Sequence, residues 1–442
     1  GVGGVRSDHA ITDKMRDVHP SHMGFLDAVS TTESNPGITL NLTMGVLKDP
    51  EQQHGLRTPV VFTTGKRKFI TPFELYNLKI GFPDQYFVEA GKVQPKFQTI
   101  KAVFEGKATT FSSSEIDAYI ERPTNMFTWS TNLIPFLNYN SGGRAMYGSK
   151  QMAQAVPLKY NESPLVQVRV PERALIKKEL EHKESFEGVV GDYLNPRVVE
   201  GKEGVVTRIT KDYITVKNNQ DGKSIKYGLY NMFPLNQESF LHSTPTVKVG
   251  DNVKRGQYLA SNNFQKGSTI ALGTNLLTAY MPWKGQTFDD SVVISESAAK
   301  KLTSQHLYKE ELKQSKTGVS DIDKYNAYFP GKLKLDNITK LDENGIIREG
   351  EIVYNGDYIA VYMEPRDLTD EERILRSMRK VLSEPYIDRS LVWEHEVSGE
   401  ILYVRNIGKN VVITIKTEAP AVIGDKVTNR AGAKGIISKI VP

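Results

Sequence analysis

The chain has 442 residues and a formal net charge of +5, and 39% of its residues are apolar while 25% are charged. This balance is that of an ordinary folded protein with room for about two to four hydrophobic cores, and it excludes a fibrous or fully disordered chain. Because the sequence contains no cysteine, disulfides, thiolate zinc sites and cysteine nucleophiles are excluded as well.

The apolar residues are too scattered to form a membrane-spanning helix. No apolar stretch approaches the roughly 18 residues that a membrane-spanning helix needs. The chain does not open with a basic segment followed by an apolar one, so no signal peptide is indicated. We expect a cytoplasmic protein with no membrane partner. Its small positive charge permits a polyanionic partner without demonstrating one.

Short strands and turns dominate the predicted elements. Residues 204–230 alternate between apolar and polar side chains around the polar turn at residues 218–222, which predicts a β-hairpin. A helix is predicted over residues 369–383, because Thr369 and Glu372 have the spacing of a capping box and an apolar stripe follows at helical spacing. The proline that comes next ends this helix.

An internal repeat is visible in the same part of the chain. Residues 249–260 recur as residues 349–360, and the two copies share glycines, an acidic residue, a valine, a tyrosine and an alanine. Each glycine–acid pair is typical of a tight turn, and the valine starts a buried strand. This is the pattern of small barrel-sandwich hairpins. Biotinyl and lipoyl carrier domains use a similar pattern, but their exposed lysine has no convincing equivalent, which favours two β modules with no chemistry of their own.

A basic stretch with interleaved glycines closes the chain. Residues 424–439 carry Lys426, Arg430, Lys434 and Lys439 against a single acidic residue. The glycines allow backbone amides to approach a phosphate, and the lysines supply positive charge. From the residues alone, an anion-binding loop and an ordinary solvated basic surface both remain open.

Two further pairs of residues could serve a metal ion. Asp289 and Asp290 precede a short apolar run, where they could approach a cation or simply begin a strand. His19 and His22 are spaced like metal ligands, but the sequence offers no cysteine and no nearby acidic set. We therefore favour a packing role for these two histidines.

An ordered set of motifs lies at residues 132–137, 143–148, 154–157, 230–237, 271–277, 281–296 and 424–440. In the same order, these motifs resemble the β (second-largest) subunit of bacterial multisubunit RNA polymerases. Residues 1–4 and 16–22 also look like the fork-loop stretch of that family. Any single motif would be modest evidence, but the ordered set spans essentially the whole chain.

The resemblance implies roles for four residues near the nucleotide. Lys426 and Lys434 match family lysines beside the RNA 3′ end and the incoming nucleotide's phosphates, where fixed cations stabilise developing charge. Arg144 matches an arginine that reaches the nucleotide triphosphate, a task suited to its bidentate fork. Gln154 matches a glutamine near the initiating or 3′-terminal RNA nucleotides.

The resemblance also implies a magnesium-dependent reaction. Asp290, with Asp289 beside it, matches an acidic pair near the second of two Mg²⁺ ions, which prefer carboxylate oxygen. Arg430 is expected mainly to support its loop, with a weaker contact to nucleic acid. The first Mg²⁺ belongs to an aspartate triad in the β′ partner of this family, and no Asp-Phe-Asp-Gly-Asp sequence occurs here. The chain alone is therefore expected to be inactive.

This sequence departs from the family at several places. The cellular family has methionine, alanine, glycine, histidine and asparagine, respectively, at the positions of Val427, Thr428, Asn429, Ala431 and Ala433. In the flap-like region, only residues 405–410 connect the two apolar runs at 401–404 and 411–415. This connection leaves no room for the helix that bacterial flaps offer to sigma factors, so we expect an unconventional promoter-recognition partner, if any.

The implied fold class is α+β and β-rich, with a double-psi β-barrel and barrel-sandwich hybrid modules. We expect a fork-loop and lobe-proximal region over residues 1–130. The double-psi barrel, with an inserted barrel-sandwich hairpin, is expected over residues 131–300 and 424–442. A flap-like domain is expected over residues 301–423.

The implied function is DNA-directed RNA synthesis as a β-type subunit. Its expected partners are a β′-type chain, other β-type fragments, template DNA, RNA and nucleoside triphosphates. The alternative is a non-catalytic scaffold or a virion nucleic-acid-binding protein that kept the fold without the chemistry.

The compact flap, the substitutions in the lysine motif and the limits of the chain resemble those of the split polymerases of giant bacteriophages. In that case the chain would work in the infected bacterial cytoplasm or in the virion. A truncated cellular subunit would have the same boundaries.

Overall fold

The computed structural model describes residues 10–31, 37–49, 51, 55–89, 91–169, 185–193, 195–196, 198, 201–366, 374 and 386–442. Within these residues, strands far outnumber α-helices, which confirms the predicted α+β, β-rich class. The helix predicted over residues 369–383 lies outside the described residues except for Ile374, and residues 1–4 of the expected fork-loop stretch lie outside them too.

The N-terminal part is built on a seven-stranded sheet. The elements are β1 Leu26–Thr31, β2 Leu40–Leu42, β3 Leu47–Lys48, β4 Leu56–Phe62, β5 Arg67–Ile70, α1 Pro72–Tyr76, β6 Ile80–Gly81, β7 Tyr86–Glu89, β8 Lys92–Pro95, β9 Thr99–Phe104, β10 Lys107–Ser112 and β11 Ala118–Ile120. The sheet has the order β10-β9-β6-β11-β4-β3, with β5 paired to β4. Val60, Ile80 and Ile120 lie fully buried on one side of it, and a second small cluster forms around Tyr119 and Ile100.

Three helices follow: α2 Trp129–Asn132, α3 Gly142–Ala153 and α4 Phe186–Tyr193. Helix α3 begins after Ser141, whose hydroxyl accepts a hydrogen bond from the Arg144 amide at 3.4 Å, because the first amides of a helix have no partner within it. Its buried residues Ala145 and Met152 pack with Val189 and Val190 of α4. One face of α3 is thereby fixed, and Arg144 lies on the exposed side.

A buried carboxylate joins strand β1 to helices α2 and α3. Asp27 is 0% exposed, and its Oδ2 accepts hydrogen bonds from the Thr128 amide and the Thr131 hydroxyl, both at 2.7 Å. The Thr131 hydroxyl also lies 2.9 Å from the Ser149 hydroxyl on α3. This network orients α3 against strand β1, since a buried carboxylate is tolerated only when its oxygens are hydrogen-bonded.

The next part contains ten short strands. They are β12 Gly204–Ile209, β13 Tyr213–Asn218, β14 Ser224–Gly228, β15 Phe233–Pro234, β16 Phe240–Leu241, β17 Ser243–Pro245, β18 Asn252–Val253, β19 Ala260–Asn262, β20 Gln265–Lys266 and β21 Thr269–Ile270. Strands β12, β13 and β14 pair in antiparallel fashion, so the hairpin predicted over residues 204–230 is confirmed.

The last part begins with strand β22, Ser291–Ser295, and helix α5, Glu296–Lys301, and then forms the flap-like region. The remaining elements are β23 Ser304–Leu312, α6 Ile322–Tyr328, α7 Leu335–Lys340, β24 Ile352–Val353, β25 Tyr358–Ala360, β26 Met363–Pro365, β27 Tyr386–Asp388, β28 Leu391–Val392, β29 Gly399–Ile407, β30 Asn410–Ala419, β31 Lys426–Thr428 and β32 Lys434–Val441. The main flap sheet has the order β23-β30-β29-β24, and it covers a core around Trp393 and Ile413.

Strands β29 and β30 are joined by Gly408 and Lys409 alone. Gly408 has a φ of 65°, which a tight two-residue turn requires and which glycine adopts without strain. The prediction that this connection holds no helix is confirmed.

The predicted repeat is confirmed, and the structure reveals a third copy. In each copy a glycine with positive φ donates its amide to a strand carbonyl at 2.8 Å: Gly250 to Val206, Gly350 to Ile401 and Gly424 to Ile437. In each copy the same strand residue donates back to the carbonyl of the acid that follows the glycine. The basic stretch at the end of the chain is therefore built on the turn that the two β modules use.

Strands β22 and β31 flank β32 in a three-stranded sheet, with β22 parallel and β31 antiparallel to it. The double-psi β-barrel and the boundaries of the three expected regions stay predictions. Among the described residues, no helix is long and apolar enough to cross a membrane.

A network around Glu162 ties the chain after α3 to helix α5. Its carboxylate accepts hydrogen bonds from Lys301 Nζ at 2.8 Å and from the Asn275 amide at 3.0 Å. These contacts, led by the Lys301 ammonium, lower the pKa of Glu162 from 4.5 to about 2. A lowered folded-state pKa adds stability that is present above pH 4.5 and is lost as the pH falls towards 2.

We expect Glu162→Gln to remove part of the acid sensitivity of the fold. Between about pH 6 and about pH 3 the midpoint of urea unfolding should fall less steeply in this variant than in the parent chain. Glu343→Gln is the matched control, because within the described part of the chain the exposed Glu343 side chain makes no hydrogen bond. Parallel pH profiles for the parent and Glu162→Gln would contradict the prediction.

Candidate functional site

Two lysines of the basic stretch, Lys426 and Lys434, share one face of the hairpin formed by β31 and β32, which we call the lysine hairpin (residues 426–441). Thr428 is the cross-strand partner of Lys434, and Lys426 is the partner of Ile436. Directly paired residues of antiparallel strands point to the same side of a sheet. Lys426 and Lys434 are therefore diagonal neighbours on one exposed face.

The opposite face of the lysine hairpin holds it in place. Ile437 is fully buried there, and it packs with Val292, Val427 and Ala421. The alternation of apolar and polar residues along β32 thus anchors one face and leaves the lysines on the other. Among the described residues, neither lysine ammonium has an ion-pair or hydrogen-bond partner, so both are available to a ligand.

The two aspartates lie beside the same strand. The Ile436 amide donates to the Asp290 carbonyl at 3.0 Å. A Cβ on Gly435 would come within 2.7 Å of that carbonyl oxygen, so only glycine permits this approach. Asp289 and Asp290 both have positive φ, 51° and 64°, and both side chains are exposed. The structure thus brings the aspartates to the strand that carries Lys434.

Helix α3 is docked on the loop of the lysine hairpin, residues 429–433. Arg144 donates from its guanidinium to the Gly432 carbonyl at 3.1 Å. A Cβ on Gly148 would lie 2.6 Å from the Arg430 carbonyl oxygen, so the helix and the loop touch through their backbones. The fold thus brings Arg144 to the lysine motif, 288 residues further along the chain, and the contact of Arg144 with a nucleotide stays a prediction.

Arg430 points away from the lysine face and into the protein. It forms an ion pair with Glu187 of α4 at 2.5 Å. It also donates to the Leu133 carbonyl at 3.0 Å and to the Val166 carbonyl. These contacts support the loop, as expected. The weaker nucleic-acid contact of Arg430 stays a prediction.

Sequence reasoning missed Glu187. Its side chain is 1% exposed, and besides Arg430 it accepts hydrogen bonds from the Val168 amide at 3.1 and 3.0 Å. An acidic residue at the start of an apolar helix reads as an ordinary helix terminus. No local signal links it to an arginine 243 residues further on.

Gln154 lies at the C-terminal end of α3, where its amide donates to the Lys150 carbonyl at 3.0 Å. Ten residues of helix separate it from Arg144, which corresponds to about 15 Å along the axis. The structure therefore brings Arg144 to the loop of the lysine hairpin, while Gln154 lies at the far end of the same helix with an exposed side chain.

Within the described ranges, no group of three or more histidine, aspartate or glutamate side chains could hold a metal ion. Asp289 and Asp290 suit Mg²⁺ by their chemistry, but the pair alone is an incomplete set. His19 Nδ1 accepts a hydrogen bond from the Ser21 amide at 3.3 Å, and burial, followed by the nearby His19, lowers the pKa of His22. His22 is partly buried, which fits a packing role, whereas His19 is exposed and its role stays a prediction.

The sequence of the chain matches those of known proteins. Residues 199–442 match the family model of RNA polymerase Rpb2, domain 6. Because this match covers more than half of the 442 residues, the chain belongs to that family.

Over its whole length the chain is also similar to proteins named DNA-directed RNA polymerase subunit beta. It is 30% identical to the protein of Caldicellulosiruptor bescii, covering 36% of that protein. It is 29% identical to the Gloeobacter violaceus protein and 31% identical to the Guillardia theta protein, covering 40% of each. The chain thus spans about two fifths of the length of the curated relatives it matches. The resemblance inferred from the motifs is confirmed at the level of the family.

Proposed function

We propose that this chain contributes nucleotide-, RNA 3′-end- and template-contacting residues to the active site of a multisubunit DNA-directed RNA polymerase. One observation carries the proposal: helix α3 and the lysine hairpin are docked on each other, which joins Arg144 to the strands bearing Lys426 and Lys434. The names of the curated relatives support it.

Each basic residue has a task in this proposal. During nucleotidyl transfer the RNA 3′ oxygen bonds to the α-phosphorus of the incoming nucleotide, and the bond to pyrophosphate breaks. Negative charge grows on the phosphate oxygens during this exchange, and Lys426 and Lys434 offset it as fixed cations. Arg144 holds the triphosphate, and Gln154 lies further along α3 towards the RNA.

The metal chemistry of this proposal is divided between chains. Mg²⁺ would neutralise phosphate charge, with Asp290 and Asp289 near the second ion. Their exposed carboxylates fit a secondary position near an ion whose main ligands come from other groups in the complex. A β′-type partner would hold the first Mg²⁺ with its own aspartates, so the chain is inactive alone.

The surface next to the aspartates supports action in a complex. Leu277, Tyr280 and Phe288 are 107%, 89% and 83% exposed, and exposed apolar residues concentrated in one segment are typical of a face that another protein covers. The tight turn at Gly408 and Lys409 supports an unconventional promoter-recognition partner. Descent from a split polymerase of a giant bacteriophage stays a prediction.

The proposal is tested by purifying the tagged chain from the cells that make it. We expect a chain with an Asp-Phe-Asp-Gly-Asp sequence to co-purify, and the eluate to incorporate nucleotides into RNA on a DNA template. A pure homo-oligomer without such a chain and without RNA synthesis would contradict the proposal. That result would favour the scaffold alternative.

A further inference from the structure

We infer that Gln151 and Thr428 form a positioning pair that fixes the lysine hairpin relative to helix α3, and with it the place of Lys434 relative to Arg144. The inference rests on the proposed function, because the positions of these two cations matter only if both act on one substrate. Neither Gln151 nor Thr428 touches the substrate in this scheme. Both act through Lys434.

The contact joins two elements that are distant in the chain. The Thr428 hydroxyl donates to Gln151 Oε1, across 277 residues of sequence. Gln151 lies in the last turns of α3, and Thr428 is the direct cross-strand partner of Lys434. The hydrogen bond therefore attaches α3 to the hairpin at the cross-strand pair that contains the lysine.

The loop between the two strands is internally rigid. Asn429 Oδ1 accepts hydrogen bonds from the amides of Ala431 and Ala433, both at 3.0 Å. The Asn429 amide donates back to the Ala433 carbonyl at 3.1 Å. A loop closed by its own asparagine moves as one unit, so its attachments to other elements decide where Lys434 lies.

Two of those attachments hold the tip of the loop. Arg144 binds the Gly432 carbonyl, and Arg430 is fixed by Glu187. Within the described part of the chain, the Gln151–Thr428 bond is the one side-chain hydrogen bond between α3 and the strands themselves. The pairing of β32 with β22 begins only at Ile436, so without this bond the end of the hairpin that carries Thr428 and Lys434 can shift while Arg144 keeps its place.

A shift of this kind should lower the turnover number more than it weakens nucleotide binding. Arg144 holds the nucleotide in the ground state, whereas Lys434 stabilises charge that develops in the transition state. A displacement of about 1 Å in a catalytic group can cost up to about 100-fold in rate. Loss of an interaction made only in the transition state appears in kcat rather than in KM.

The test compares isosteric variants in the purified complex. We expect Thr428→Val to lower kcat for nucleotide incorporation about tenfold, with KM for the nucleotide changed less than about threefold. Thr428→Ser keeps the hydroxyl and should retain the parental kcat. Gln151→Met should match Thr428→Val, and the double variant should be no worse than either single one, because both changes remove the same bond.

Hydrogen exchange gives a second readout that does not depend on activity. Amides of residues 426–436 should exchange faster in Thr428→Val than in Thr428→Ser, whereas Thr110→Val, on exposed strand β10, should leave them unchanged. A Thr428→Val complex with parental kcat overturns the inference. If the parental complex makes no RNA, the proposed function fails. Equal amide exchange over residues 426–436 in Thr428→Val and Thr428→Ser would overturn the Gln151–Thr428 positioning pair as well.

Discussion

Lys434→Ala should reduce nucleotide incorporation by the complex about 100- to 1,000-fold, the loss typical of removing one preorganised group that stabilises transition-state charge. The ammonium of Lys434 lies on the exposed face of the lysine hairpin and has no partner among the described residues. Its removal leaves no buried group unsatisfied. The free energy of unfolding should therefore change by less than about 0.5 kcal/mol.

Lys439→Ala is the matched control for this prediction. Lys439 is also exposed on β32, but it lies five positions further along the strand and has no role in the proposed site. Co-purification with partner chains should be the same for both variants, and RNA synthesis should fall only in Lys434→Ala. Parental activity in Lys434→Ala would refute the assignment of this lysine to the active site.

Glu187→Ala should be the most destabilising single change near the site, at about 3–5 kcal/mol, because it leaves the charge of Arg430 without its partner in a largely buried place. Arg430 is 22% exposed and Glu187 is 1% exposed. The change also removes the acceptor of the Val168 amide. Both losses fall on the packing of α2, α3 and the loop of the lysine hairpin.

The destabilisation should be local, so hydrogen exchange followed by peptide mass spectrometry is the suitable measurement. Exchange should accelerate in peptides that cover residues 129–152 and stay parental in peptides from the flap strands at 399–419. Glu187→Gln keeps an acceptor for one of the donors and should lose less protection. Equal protection of residues 129–152 in the parent and in Glu187→Ala would show that the ion pair contributes nothing.

Much of the arrangement could be predicted from sequence because its signals are local or follow from register. The hairpin over residues 204–230 and the repeat have turn residues at fixed offsets, and the short connection of the flap over residues 405–410 has no room for a helix. The common face of Lys426 and Lys434 follows from strand alternation once the turn between them is placed. The family resemblance then connected Arg144 to that face.

The parts that could not be predicted are contacts between distant segments. Thr428 and Gln151 read separately as ordinary polar residues, and Glu187 as a helix terminus. Asp27 reads as a surface residue, although it is fully buried beneath α2 and α3. Such pairs form because packing brings their elements together, and no local pattern records which buried acid meets which donor. The third copy of the glycine–acid turn was missed because its second half differs from the other two.

That third copy bears on how the site is built. Asn252, Ile352 and Lys426 occupy the same position after the glycine–acid pair of each turn, and the backbone hydrogen bonds around the three turns agree closely. The backbone turn that carries Lys426 thus occurs twice more in this protein. The last copy differs from the others in its second half, in the lysine that follows its glycine–acid pair and in its location beside α3. In the proposed function, the charge of Lys426 would therefore be carried by a backbone turn that elsewhere in the protein has only a structural role.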